Sequence, residues 1–208
     1  MKKVFIDGSA GTTGLRIFDR LHRRTDIQLL TLPESERKLE ASRKKMLNEA
    51  DVVFLCLPDD AACEAALWVE NPDTVVLDTS TAHRTAPGWC YGFPELSPVQ
   101  EARLRQAKRI AVPGCHASGF IALVYPLVSA GLLTPDALLS CYSLTGYSGG
   151  GKKMIAEYRA PERSFLLNAP RQYALGQTHK HLKEMKAVTG LANEPVFCPV
   201  VADFYSGM

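Results

Sequence analysis

Seven residues between an apolar run and an amphipathic one limit what this chain can fold into. Gly8-Ser9-Ala10-Gly11-Thr12-Thr13-Gly14 follows Val4-Phe5-Ile6-Asp7 and precedes Leu15, Ile17, Phe18 and Leu21, which recur at helical spacing. A strand that turns through glycine into a helix is the opening unit of a doubly wound α/β sheet. Gly8 suits the tight turn, Gly11 lets a pyrophosphate approach the backbone, and Gly14 lets the helix lie close to the sheet. Ser9, Thr12 and Thr13 stand between them at the helix N-terminus, where exposed N–H groups attract phosphate. The spacing is G-x-x-G-x-x-G, not the commoner G-x-G-x-x-G, and the competing explanation is a plain glycine-rich turn.

Downstream runs extend the α/β pattern. Residues 27–32, 52–57, 74–78 and 109–112 read as further strands, separated by helical or charged stretches, which predicts a Rossmann-like parallel sheet with crossover helices. The near-continuous apolarity of 52–57 suits a strand buried on both faces. Pro58 ends it, with Asp59 or Asp60 in place to cap the next helix. Past Pro113-Gly114 the composition shifts. An apolar helix is expected over 116–133, mildly broken at Pro126. A strand follows over 138–147, then four glycines within 146–151, an aperiodic loop over 159–178, a helix from His179 and a β-run over 195–204. The reading is a nucleotide-binding domain over 1–114 and an α+β substrate and dimerisation domain over 115–208. Because the chain stops at a β-run with no covering element, its last strand is expected to present a bare edge, and the chain to be a piece of a longer protein.

Composition narrows the function classes. With 46% apolar and 22% charged residues, disorder, collagen and coiled coil are excluded. Lys and Arg exceed Asp and Glu by only 24 to 22, so nothing asks for nucleic acid or an anionic membrane. No stretch approaches the roughly 18 apolar residues of a membrane helix. Six cysteines without a C-x-x-C pair argue against disulfides or a zinc site, and for reduced thiols in a cytoplasm with no metal.

Cys115 is the sharpest chemical candidate. It follows Val112-Pro113-Gly114 and opens a helix, where unsatisfied N–H groups and the dipole favour thiolate and can hold an oxyanion. The other cysteines read as small core residues, apart from Cys90, which lies in a loop and carries no assignment. A proton partner is needed. His22 sits among arginines on a solvated face, and His116 is expected to diverge from the thiol on the first turn. His179 and His181 flank Lys180 at a loop-to-helix junction, and spacing does not choose between them. After the second strand, Glu34 and Glu36 would suit a ribose hydroxyl, whereas Ser35, Arg37 and Lys38 would suit a 2′-phosphate; the latter reading favours NADP. The run from Ser143 to Lys152 offers glycine-exposed N–H groups to an anion or cofactor, through Ser148 and Gly149 among others.

Together GSAGTTG, LCLPDDAACEA from Leu55, LDTSTAHRT from Leu77, YGFPEL from Tyr91, VPGCHASG from Val112, TGYSGGGKK from Thr145 and THKHLKEM from Thr178 resemble the N-acetyl-gamma-glutamyl-phosphate reductase family, in the shorter of its two length types. That family stands within the aspartate-semialdehyde dehydrogenase-like group. The resemblance implies NADPH-dependent reduction of N-acetyl-glutamyl 5-phosphate to the 5-semialdehyde, in arginine biosynthesis. It implies Cys115 as the thiol that forms a thioester, His181 as acid/base, His179 and Glu184 as substrate or orienting groups, and a homo-oligomer. Phosphate needs cations, and Arg84, Lys152 and Lys153 are the choices. After the cysteine the longer type carries an aromatic residue, proline and threonine; here His116, Ala117 and Ser118 stand there. The alternatives are aspartate-semialdehyde dehydrogenase activity, a non-catalytic NADP-binding fragment, and a cysteine hydrolase.

Overall fold

The structure, a computed structural model, describes residues 1–9 and 11–207, Thr12 by its backbone alone. The expectation for the Thr12 side chain therefore lies outside the described residues. The chain divides into two compact units, Met1–Pro113 and Gly114–Met208.

The first unit contains β1 (Lys2–Asp7), α1 (Thr12–Leu21), β2 (Ile27–Leu30), α2 (Glu40–Glu49), β3 (Val52–Leu55), α3 (Asp59–Leu67), β4 (Val75–Asp78), β5 (Cys90–Tyr91), α4 (Pro98–Gln106) and β6 (Arg109–Ala111). Its six strands pair in parallel in the order β2-β1-β3-β4-β6-β5. The chain leaves β1 toward β2 on one side and returns to β3 on the other, so the order reverses beside β1. A ligand crevice belongs at the carboxyl ends there. Phe5, Val53, Leu55 and Val76 from the strands share one cluster with Leu47 of α2 and Ala65 of α3. The small Ala62 and Ala65, both fully buried, let α3 lie close on the sheet.

Two local readings change. Asp59 does not cap α3: its carboxylate accepts from the Thr81 N–H and hydroxyl, at 3.0 and 2.7 Å, and Pro58 holds the cap position. Cys90 lies in the short β5 rather than in a loop, paired against Ile110. No apolar periodicity announces α4. Its start is set by Ser97, whose hydroxyl accepts from the Gln100 N–H at 3.1 Å, and by Pro98 in the first turn.

The second unit contains α5 (Cys115–Ser129), β7 (Ser140–Gly146), α6 (Gly151–Arg159), β8 (Arg171–Gln172), α7 (His181–Thr189) and β9 (Val196–Ala202). Its sheet is mixed, in the order β7-β9-β8, with β7 parallel and β8 antiparallel to β9. The last strand is thus the middle one. The edge expected to be bare is covered in part, because β8 forms within the stretch read as a loop and pairs with Val200 and Val201. Such a two-residue strand exists only through its partner, and has no local signal. On α5, His116, Ala117, Phe120, Ile121 and Val124 form one buried stripe, and the helix continues past Pro126 to Ser129.

Candidate active site

In the first unit the glycine loop takes the shape expected of a phosphate cradle. Gly8 has φ +86°, and a side chain there would collide with the Cys56 carbonyl oxygen. A Cβ on Gly14 would meet the Gly8 carbonyl. Gly11 is the N-cap of α1, and its N–H donates to the Gly8 carbonyl at 2.9 Å. Ser9 is half-buried, and Thr13 is exposed on the first turn. These residues fit a dinucleotide pyrophosphate, because both the turn and the close approach exclude side chains. Beyond β2, Ser35, Arg37 and Lys38 are exposed in a turn, while the Glu36 carboxylate is held back by the Ser42 hydroxyl at 2.8 Å. Of the two acids in range of a ribose Glu36 is therefore engaged, while Glu34 is exposed like the cations. Asp7, buried at the end of β1, is clamped by Arg43, whose guanidinium also lies over Trp68. Arg84 donates to the carbonyls of Val112 and Thr79, at 3.0 and 3.2 Å.

The second unit holds a pocket of about 210 Å³, lined among others by Cys115, His116, Gly149, Tyr173, His179 and His181. Cys115 is half-buried and is the first residue of α5. Glu184 of α7 is 1% exposed, and its carboxylate accepts from the Gly114 N–H at 2.7 Å. That bond anchors the N-terminus of α5 directly before the thiol, occupying one of the donors a helix start leaves unpaired. Glu184, expected to orient or to bind substrate, is not among the residues lining the pocket, and holds the thiol's helix. Ser148 likewise is not at the pocket; its hydroxyl accepts from the Gly207 N–H at 2.9 Å. Gly149, read as a cofactor contact, lines the pocket.

The two histidines are placed differently. His179 Nδ1 accepts from the His181 N–H at 3.2 Å and so caps α7 from the residue before Lys180. His181 opens that helix and is 7% exposed. Their rings meet edge-on, with centroids 4.6 Å apart.

His116 does not diverge as expected. Both first residues of α5, Cys115 and His116, line the pocket. The face of β7 and β9 that carries Ser143 and Phe197 closes over the His116 ring. Nδ1 lies 2.7 Å from the Ser143 hydroxyl and Nε2 lies 2.8 Å from that of Tyr173. Burial, with the neighbouring charge of His179, lowers the His116 pKa to about 4. Tyr173 was invisible in the sequence because it stands in the aperiodic stretch. Burial and the neighbouring Cys115 push its phenol up to about 12.

Among the described residues no three His, Cys, Asp or Glu side chains are grouped to hold a metal, and no helix is long and apolar enough to cross a membrane.

Residues 3–104 match the family described as semialdehyde dehydrogenase, NAD binding domain, and residues 115–208 match semialdehyde dehydrogenase, dimerisation domain. Solved structures of similar fold include aspartate semialdehyde dehydrogenase II of Vibrio cholerae complexed with ASA, with a TM-score of 0.69 at 15% identity over 99% of this chain and 71% of that one. Another is aspartate semialdehyde dehydrogenase with NADP from Candida albicans, at 0.63 and 17%, covering 99% and 69%. At such identities they show the fold alone. Curated relatives are nearer. Proteins named N-acetyl-gamma-glutamyl-phosphate reductase are 49% identical in Chelativorans sp., 47% in Rhizobium meliloti and 46% in Trichormus variabilis, each over 99% of this chain. The chain spans 66%, 67% and 65% of their respective lengths, about two thirds. A glycine cradle of NAD-binding type, a thiol at a helix start beside two histidines, and near-half identity along nearly the whole chain agree: this chain belongs to the N-acetyl-gamma-glutamyl-phosphate reductase family.

Proposed function

We propose that this chain carries the thiol chemistry of an NADPH-dependent acyl-phosphate reductase, converting N-acetyl-glutamyl 5-phosphate to the 5-semialdehyde and phosphate. The observation that carries the reading is Cys115 at the start of α5, in one pocket with His179 and His181. Its sulfur attacks the acyl carbon, the bond to phosphate breaks, and a thioester remains on Cys115. The N–H groups of the first turn of α5 stabilise the oxygen that gains charge. His181 gives a proton to the carbonyl oxygen as the thioester is reduced and takes it back as the hemithioacetal releases aldehyde, regenerating the thiolate. When bound, the dinucleotide supplies the hydride. Gly8, Ser9, Gly11, Thr13 and Gly14 hold its pyrophosphate, with Ser35, Arg37 and Lys38 on the 2′-phosphate that distinguishes NADP. Arg84, Lys152 and Lys153 are the cations proposed for the substrate phosphate, and His179 is proposed beside the substrate. The match to a dimerisation domain supports a homo-oligomer, and the absence of disulfides among the described residues suits a cytoplasm.

The test is Cys115→Ser in the full-length protein. Reduction of the acyl phosphate should be lost while NADPH affinity stays nearly unchanged; retained turnover removes the thiol from the reaction. Run in reverse, phosphate-dependent NADP reduction should favour N-acetyl-glutamate semialdehyde over aspartate semialdehyde, and the opposite order overturns the substrate.

A further inference from the structure

We propose that His116, clamped between Ser143 and Tyr173, is a positioning residue that aims the Tyr173 hydroxyl proton into the Cys115 pocket, toward the acyl oxygen of the thioester. The inference rests on the thioester reading above.

Both ring nitrogens of His116 are committed to hydroxyls at 2.7 and 2.8 Å, and the residue is only 4% exposed. An imidazole without a net charge has one N–H and one bare nitrogen, so the two hydroxyls must play opposite parts. With the proton on Nδ1, the ring donates to Ser143 and the phenol spends its own proton on Nε2. With the proton on Nε2, Ser143 donates to Nδ1, the ring donates to Tyr173, and the phenol proton is left for the pocket.

The surroundings select the second arrangement. Cys115 lines the same pocket, and an oxyanion formed at an acyl group bound to it attracts a donor. Burial, with the neighbouring Cys115, keeps the proton on Tyr173. His116 stays uncharged above about pH 4. Phe197 and His179 meet its ring edge-on, with centroids at 5.4 and 5.9 Å, and fix its plane. No proton is transferred in this role; the ring fixes which way one points. Neither Ser143 nor Tyr173 belongs to the cysteine or histidine motifs, so only the folded unit joins them.

Two measurements test this. The first needs no activity: nitrogen NMR of the imidazoles in the full-length protein, with His116 assigned by its loss in His116→Gln. The expected result is an uncharged ring protonated on Nε2 and unaltered down to about pH 5. An Nδ1-protonated ring, or protonation near pH 6.5, overturns the proposal whether or not the enzyme turns over. The second is a mutant cycle read as kcat and KM. Tyr173→Phe and His116→Phe should each lower kcat on the order of 10²-fold, the cost of losing one oxyanion donor, with KM little changed. The double variant should lose no more than either alone, and His116→Gln, whose amide N–H replaces Nε2–H, should recover most of the rate. Independent, multiplying losses, or a folded His116→Gln as slow as His116→Phe, refute the positioning role. A wild-type protein inert toward acyl phosphate refutes the reaction instead, and leaves the NMR result to decide the tautomer.

Discussion

Replacing Glu184 by alanine tests the link between α7 and the thiol's helix. In the folded chain the carboxylate, 1% exposed, accepts the Gly114 N–H at 2.7 Å. Removing it strands a buried donor, at about 1–3 kcal/mol. The lost side-chain atoms leave a cavity between two packed helices, adding about 1–2 kcal/mol. The second unit should therefore lose about 2–5 kcal/mol. Glutamine keeps an oxygen acceptor at the same place and should lose only about 1 kcal/mol. Urea denaturation followed by circular dichroism gives the stability, and hydrogen exchange at the Gly114 amide reports the bond itself. Exchange should accelerate in Glu184→Ala and remain slow in Glu184→Gln. Since the first turn of α5 carries Cys115, alkylation of the thiol should change in the alanine variant as well. An alanine variant within about 0.5 kcal/mol of the parent, with Gly114 still protected, would refute the assignment of Glu184 as the anchor.

Two further outcomes are expected. Arg37→Ala should weaken NADPH binding far more than NADH binding, measured by fluorescence titration; equal losses would show that the turn after β2 does not read the 2′-phosphate. Acid should destabilise the second unit through His116. Its folded pKa, about 4, lies below the ordinary histidine value near 6.5, so the unfolded chain takes up the proton first. The stability is present above about pH 6.5 and is lost progressively down to about pH 4, by on the order of 3 kcal/mol. Denaturation across that range should be shallower in His116→Phe, and an unchanged pH profile would contradict the buried, uncharged ring.

Much of the first unit was legible because its signals are local. Glycines at 8, 11 and 14 act through backbone shape, and the apolar run at 52–55 announces β3, although only Val53 and Leu55 are fully buried and Val52 and Phe54 are half-buried. Cys115 was legible for the same reason, since Pro113-Gly114 marks the turn that opens a helix. Asp59 misled because a carboxylate at a helix start serves equally well as an acceptor for a distant partner, here Thr81. The sequence by itself thus determined the parallel sheet, the glycine cradle and a thiol at a helix N-terminus, all properties of a few neighbouring residues. Only the tertiary structure decided that β9 lies between β7 and a two-residue β8, and that Glu184, seventy positions from Gly114, holds the helix that carries Cys115. It also decided that His116 faces Ser143 and Tyr173 rather than turning away. Each depends on which distant segments meet, and pairing across tens of residues leaves no period or motif at either end for a linear reading to find.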